Sequence, residues 1–364
     1  MSVLGLGSCT PRLSVADPES AVDREDPGEE VLSIAWRKHL RPGSRDTSPQ
    51  EFSSAAIDVS GLYVGTRDGW FYAFTEDGRE RWKVKTGPVS ARPALDRGRL
   101  YIGTDDGVLI CLTTSGEEKW RFLSDGPILE TATLTKDLVI FANESDRVTA
   151  LKRKYGKVKW RFKEETPDDN IHRGHAGVAL FGDRLYTGFS NGTVAALRLE
   201  TGTAVWSSSL SSGKDAFTDV DVTPLIYKGQ LYAASSAGGL FALDAESGAV
   251  TWQADIDNIG GLNIDSDRLY AASAGQGVFA LDHMGRILWN QGLADEGEPS
   301  MPQIDSHYLL VPYSKGGLIV AEKRTGRVLQ YFDPGYGVSA APLWDGHRLY
   351  VLSNSAIFYA MNLH

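Results

Sequence analysis

The chain has 364 residues, 42 % of them hydrophobic, and a formal net charge of −10. That is enough apolar material for a large core, while the acidic balance argues against nucleic acid or an anionic membrane as a partner of the body. Two cysteines, Cys9 and Cys111, offer neither a disulfide framework nor zinc spacing, and no apolar run has the length of a transmembrane helix.

The chain opens on "MSVLGLGSC". Leu6-Gly7-Ser8-Cys9 resembles a bacterial lipobox, in which an apolar residue and two small ones precede a cysteine that becomes lipidated. The basic start and full apolar run of a secretory signal are missing, so the true start is expected upstream. Thr10 to Glu30 is polar and contains proline, and Asp17 to Glu30 holds seven acids and one Arg. This stretch reads as a flexible tether. The expected organisation is therefore a lipobox remnant and tether over 1–30 and a single domain over 31–364.

From residue 31 onward the sequence is periodic. "GRLYIGTDDGVLICLTTSGEEKW" (98–120), "DRLYTGFSNGTVAALRLETGTAVW" (183–206) and "GQLYAASSAGGLFALDAESGAVTW" (229–252) share one plan. An apolar run beginning Leu-Tyr is followed by a turn, a run with a small residue, a Gly turn, and Trp. Asp68-Gly69, Asp106-Gly107 and Asn191-Gly192 are hairpin-turn dipeptides, because such turns need positive φ. The terminal aromatics are Trp82, Trp120, Trp160, Trp206, Trp252, Trp289 and Tyr331, separated by 38, 40, 46, 46, 37 and 42 residues. Ala73, Cys111, Ala150, Ala196, Ala242, Ala280 and Ala321 precede them by nine or ten positions. A period near forty with four short strands per unit marks a β-propeller. The small residue leaves room for the ring to bury between sheets, so the tryptophans read as packing residues and Cys111 as a buried structural thiol.

The eighth small residue, Ala360, has no aromatic after it, and the missing partner is Trp36 in "VLSIAWRKH". The sequence thus predicts an all-β, eight-bladed propeller of four-stranded antiparallel blades. Its ring closes by pairing a strand near 31–38 with the C-terminal strands, which removes the open gap.

Three stretches stand out from the repeat. "KRKYGKVKWRFK" (152–163) holds seven basic residues and reads as a solvated turn and blade edge, with an acidic partner or lipid head group as the sharper alternative. His172 and His175 form an H-x-x-H that on a strand would face opposite ways, poor for one metal, and reads as two solvated loop histidines. "FTDVDVTPL" (217–225) puts Asp219 and Asp221 on one face of what reads as a strand, an arrangement that like-charge repulsion opposes. Shifting by 46 residues, the Trp160–Trp206–Trp252 interval, lays Asp219 over Arg173 and Asp221 over His175. The four are expected to meet at one rim, with Arg173 near an Asp.

The units "ALRLETGTAVW" (196–206) and "ALDAESGAVTW" (242–252) resemble the pyrroloquinoline-quinone-type propeller repeat, which quinoprotein dehydrogenases share with non-enzymatic propellers. Over about 170–290, the Asp-Val-Asp-x-Thr-Pro string and the upstream Arg-Gly resemble the BamB family, lipoproteins of the outer-membrane β-barrel assembly machinery. The resemblance implies a non-enzymatic scaffold on the periplasmic side of the outer membrane, anchored through Cys9. It implies a partner surface at Arg173, Asp219 and Asp221 for the periplasmic repeats of the barrel subunit BamA, with Ile171 and Phe217 as apolar neighbours. This sequence has Asn170-Ile171-His172 before Arg173, where the family typically has Leu-x-Leu. No catalytic residue, metal or cofactor is expected. The alternatives are a periplasmic or surface propeller binding another protein or a small ligand and, further off, a quinone-dependent dehydrogenase; for the latter, no adjacent cysteines and no cluster of calcium-binding oxygens stand in the sequence.

Overall fold

The computed structural model describes residues 30–41, 50–164, 175–210, 219–235, 238–292 and 297–364, and the backbone of Arg12–Ser14. Eight antiparallel sheets succeed one another around a ring. Blade 1 is built from Ala56–Asp58, Gly61–Gly65, Trp70–Phe74 and Glu80–Lys85. Blade 2 uses Ala94–Asp96, Arg99–Gly103, Val108–Thr113 and Glu118–Leu123, and blade 3 uses Thr133–Leu134, Leu138–Asn143, Arg147–Lys152 and Lys157–Lys163. Blades 4, 5, 6 and 7 begin at Ala179, Leu225, Ile259 and Gln303. The first strand of each blade lies innermost, against the first strands of its neighbours, and in every blade but the sixth it has only two or three residues.

Blade 8 closes the ring as the sequence predicts. Leu343–Trp344, Arg348–Leu352 and Ile357–Leu363 supply three strands, and Leu32–His39 supplies the outer one, with Trp36 opposite Ala360. Blade 7 has a fifth strand: Arg12–Ser14, within the stretch read as tether, pairs parallel with Tyr331–Asp333.

The repeat letters have a common physical cause. Each outer-strand Trp lies across from its small residue, as Ala73 faces Trp82, Ala150 faces Trp160 and Ala242 faces Trp252, with a bulge immediately after the pair. The ring then reaches the next blade. Trp82 Nε1 donates to Thr114 O at 3.0 Å, Trp120 to Arg153 O at 2.9 Å and Trp160 to Leu199 O at 2.9 Å. In each case the acceptor belongs to the turn between strands three and four of the following blade. The glycine of that turn lies under the indole, and a Cβ on Gly116 or Gly156 would come within 3.0 or 2.6 Å of it. The Tyr of each Leu-Tyr pair packs on its own blade's Trp, with centroids 5.9 Å apart for Tyr101 and Trp120. Cys111 is buried at the Ala position, and burial pushes its thiol pKa up.

Blade 7 departs from the expected alignment. Its bulge falls after Val320, which faces Gln330, so Gln330 holds the Trp position and Tyr331 lies one residue beyond. The next blade explains the exchange. Blade 8 joins its third and fourth strands through the chain ends and offers no turn glycine to an indole. Gln330 instead accepts from Val31 N at 2.8 Å and Leu32 N at 2.7 Å and donates to Leu32 O at 3.1 Å.

Strand polarity sorts the loops. Turns between strands two and three, and the connectors between blades, lie on one side, the connector face. Turns between strands one and two, and three and four, lie on the opposite face.

Candidate functional site

Connectors are seated by a repeated contact. Val89, Ile128 and Val220, all fully buried, press onto Gly65, Gly103 and Gly188, where any Cβ would meet them at 2.5 Å or closer. Their N–H groups donate to Thr66 O (3.2 Å), Thr104 O (3.1 Å) and Phe189 O (3.2 Å) of the neighbouring two–three turn. The turns are tied back in return: Asp105 N donates to Pro88 O at 2.9 Å and Glu144 N to Pro127 O at 3.1 Å. This lattice carries acids from blades 2 and 3 and from the connector into blade 5 toward one another.

Asp219 and Asp221 lie in such a connector, outside the strand expected to hold them; that strand begins at Leu225, after Pro224, which has no N–H to give a ladder. The alternation survives locally. Val220 is buried while Asp221 is exposed at the lip of a cavity of about 520 Å³ lined by Asp105, Pro127, Leu129, Glu130, Glu144, His175 and Asp221. The side chains of Asp219 and Asp221 are hydrogen-bonded. The Asp221 pKa is pushed up to about 8, first by loss of solvation in this concavity, then by Asp219, Glu144 and Glu130. Glu130 is pushed up to about 7, again chiefly by desolvation, against a hydrogen bond from Thr223 Oγ1 at 3.2 Å. Thr223 Oγ1 in turn accepts from Gly177 N at 2.9 Å, so these two residues, 46 apart, meet at the rim; the expected contact of Arg173 with an Asp lies outside the described residues.

His175, expected in solvent, is 6 % exposed. Its ring lies edge-on to Phe189 at 5.5 Å, and Nδ1 is 2.5 Å from Ala176 O, so Nδ1 carries the proton and Nε2 the lone pair. Burial lowers its pKa, opposed by the nearby Asp146 carboxylate and the bond to Ala176. Nε2 is buried in the cavity wall and has no hydrogen-bond partner among the described residues. A neutral imidazole acceptor among carboxylates has the chemistry to accept from a cationic N–H donor, such as a guanidinium or ammonium. Among the described residues no group of three His, Cys, Asp or Glu is arranged to hold a metal ion.

Of the site residues expected from sequence, Asp221 lines this cavity and Asp219 is hydrogen-bonded to it. Cys9, Ile171, His172, Arg173 and Phe217 lie outside the described residues. Asp105, Glu130 and Glu144 complete the site without having been singled out, because they come from three separate loops, two two–three turns and one connector, and no local motif results.

A family model described as outer membrane protein assembly factor BamB matches residues 67–291, more than half of the chain. The BamB of Yersinia pestis is 26 % identical over 242 residues, 65 % of this chain and 61 % of that protein. A quinoprotein ethanol dehydrogenase of Pseudomonas putida is 32 % identical over 104 residues, 27 % of this chain but 16 % of the enzyme. Among solved structures, BamB from Moraxella catarrhalis matches with TM-score 0.79 and 22 % identity over 92 % of this chain and all of that one. The quinohemoprotein alcohol dehydrogenase of Comamonas testosteroni matches with TM-score 0.73 and 15 % identity over 91 % and 76 %. The structural likenesses show a shared propeller fold, and the family match over most of the blades shows that the chain belongs to the family of outer membrane protein assembly factor BamB.

Proposed function

We propose that this protein is a non-enzymatic scaffold lipoprotein of the outer-membrane β-barrel assembly machinery, holding the periplasmic repeats of a BamA-like barrel subunit on its connector face. The observation that carries the reading is the Asp219–Asp221 pair at an acid-lined cavity with the His175 Nε2 acceptor in its wall. Such a site suits an arginine or lysine side chain of a protein partner. Arg173, Ile171 and Phe217 are assigned to the same surface on family grounds, and Cys9 to the anchor on the periplasmic side of the outer membrane. Charged groups here set encounter and register, and apolar neighbours supply more of the affinity. Against a dehydrogenase stands the reach of the quinoprotein sequence similarity, which covers about a quarter of this chain.

The test is capture from detergent-solubilised membranes. Asp219→Lys with Asp221→Lys is expected to leave the β-sheet circular dichroism spectrum unchanged and to abolish co-purification of the barrel subunit. Normal recovery of the subunit with a folded double variant would refute the reading. For the anchor, mass spectrometry of membrane-extracted protein is expected to find lipid on Cys9.

A further inference from the structure

The net acidity of the chain conceals a local reversal of charge on the face opposite the connectors. Opposite the acid-lined cavity, a second cavity of about 520 Å³ lies between blades 2 and 3 and is lined by seven Lys and Arg side chains and one carboxylate, Asp137. Part of this charge is internally balanced. Arg153, 8 % exposed, is clamped by Asp96 at 2.7 Å, Tyr101 Oη at 3.0 Å and Thr135 O at 2.6 Å, and forms a fixed floor. Arg97 shares Asp96 at 3.7 Å, and Lys159 pairs with Glu200. Arg99, Lys136, Lys152 and Lys154 have no carboxylate partner among the described residues. At the lip, Tyr155 is 56 % exposed, with Lys154 Nζ 4.9 Å from its ring centre. An exposed Tyr beside free lysines is the side-chain chemistry of a membrane interface.

The N-terminal strand gives the face a direction. Arg12–Ser14 runs parallel with Tyr331–Asp333, so the chain enters it from the end at which outer strands begin. That end carries the three–four turns, including the turn of Arg153 and Tyr155. Cys9 precedes Arg12 by three residues, at most about 10 Å of chain. A chain that continues in this direction would bring a lipid on Cys9 to the side of the basic cavity, away from the acidic one.

We infer that the basic cavity binds the phosphate head groups of anionic phospholipids in the leaflet that carries the anchor. The assignment of a leaflet rests on the proposed anchor, whereas the binding chemistry rests on the cavity itself. Anionic phosphate meets four cations free of carboxylate partners, and Tyr155 settles at head-group depth. The body of the protein would then be oriented by two contacts, the tether and the cavity, with the acid-lined cavity presented to a protein partner.

The experiment is vesicle co-sedimentation of the full chain carrying Cys9→Ser, so that no lipid anchor contributes. Binding to vesicles of phosphatidylcholine with phosphatidylglycerol is expected, with little to phosphatidylcholine alone and a fall as salt rises. Lys152→Glu with Lys154→Glu should weaken it at least tenfold. Lys83→Glu with Lys85→Glu, an equal charge reversal on the outer strand of blade 1, should change it less than twofold. Equal loss in both double variants, equal binding to neutral vesicles, or no sedimentation would overturn the proposal. So would calorimetric binding of inorganic phosphate at the cavity without vesicle binding, which would mark a site for the free ion. The two functional readings fail separately: Lys152→Glu with Lys154→Glu should still capture the barrel subunit in detergent, and Asp219→Lys with Asp221→Lys should still sediment with anionic vesicles.

Discussion

Asp221 and Glu130 hold their charge at a cost to the fold. Their pKa values, about 8 and 7 in the folded chain, stand well above the ordinary carboxylate range that applies once the chain unfolds. Between roughly pH 4 and pH 8 the folded state therefore binds more protons than the unfolded one, and stability is lost as pH rises through that window. Asp221→Asn removes the titration. It is expected to raise Tm at pH 8.5 relative to the parent, with the advantage vanishing near pH 4, as read by thermal denaturation across pH. An equal Tm difference at both ends would show that desolvated charge is not the cause. Partner binding should move oppositely, because a cationic ligand needs both carboxylates ionised; affinity for the barrel subunit should climb from pH 6 to 8.5. The sequence displayed Asp219 and Asp221 because they interrupt an apolar alternation. It did not display Glu130 or Glu144, single acids in ordinary loop contexts, nor the burial of His175, whose ring packs edge-on against Phe189.

At the level of the blade, the repeat was legible because one contact is made again and again. An outer-strand indole needs a small residue opposite it and a glycine in the next blade's turn, and those requirements leave letters at fixed intervals. Gly202 shows the strength of the constraint. It sits at φ +71° beneath Trp160, and a Cβ would come within 2.3 Å of the ring. Gly182, in the same blade at φ +61°, has nothing within 4 Å of that point. Gly182→Ala should therefore cost only the left-handed backbone term, about 1 kcal/mol. Gly202→Ala adds a clash with a buried ring, about 1–3 kcal/mol beyond that. Urea unfolding of the two variants separates the terms, and equal midpoints would mean that the indole does not depend on the turn. The period-two reading mistakes this connector for a strand for a related reason: Val220 alternates with Asp219 and Asp221 because it plugs Gly188, not because it lies in a ladder.

For the ring as a whole, the decisive residue is the one that breaks the repeat. Seven of the eight junctions can use a turn; the junction into blade 8 cannot, since its outer strand comes from the other end of the chain. Gln330 supplies there what an indole cannot, two acceptor contacts and one donor to the backbone of Val31 and Leu32. From the sequence alone the aromatic period pointed to Tyr331, and only the bulge after Val320 moves the position back by one. Gln330→Ala leaves two buried N–H groups and a carbonyl without partners, a loss of at least about 2 kcal/mol. The weakness should be local before it is global. Amide exchange is expected to accelerate first along Leu32–His39 and its partner strand Ile357–Leu363, with blades 2 to 5 still protected. Uniform acceleration through all blades would mean instead that the closure is not the weakest junction. Because Arg12–Ser14 is paired on this same blade, one residue beyond Gln330, loosening the clamp should also free the segment that leads to Cys9, so that proteolytic cleavage between 15 and 29 rises in parallel with the exchange at Leu32–His39.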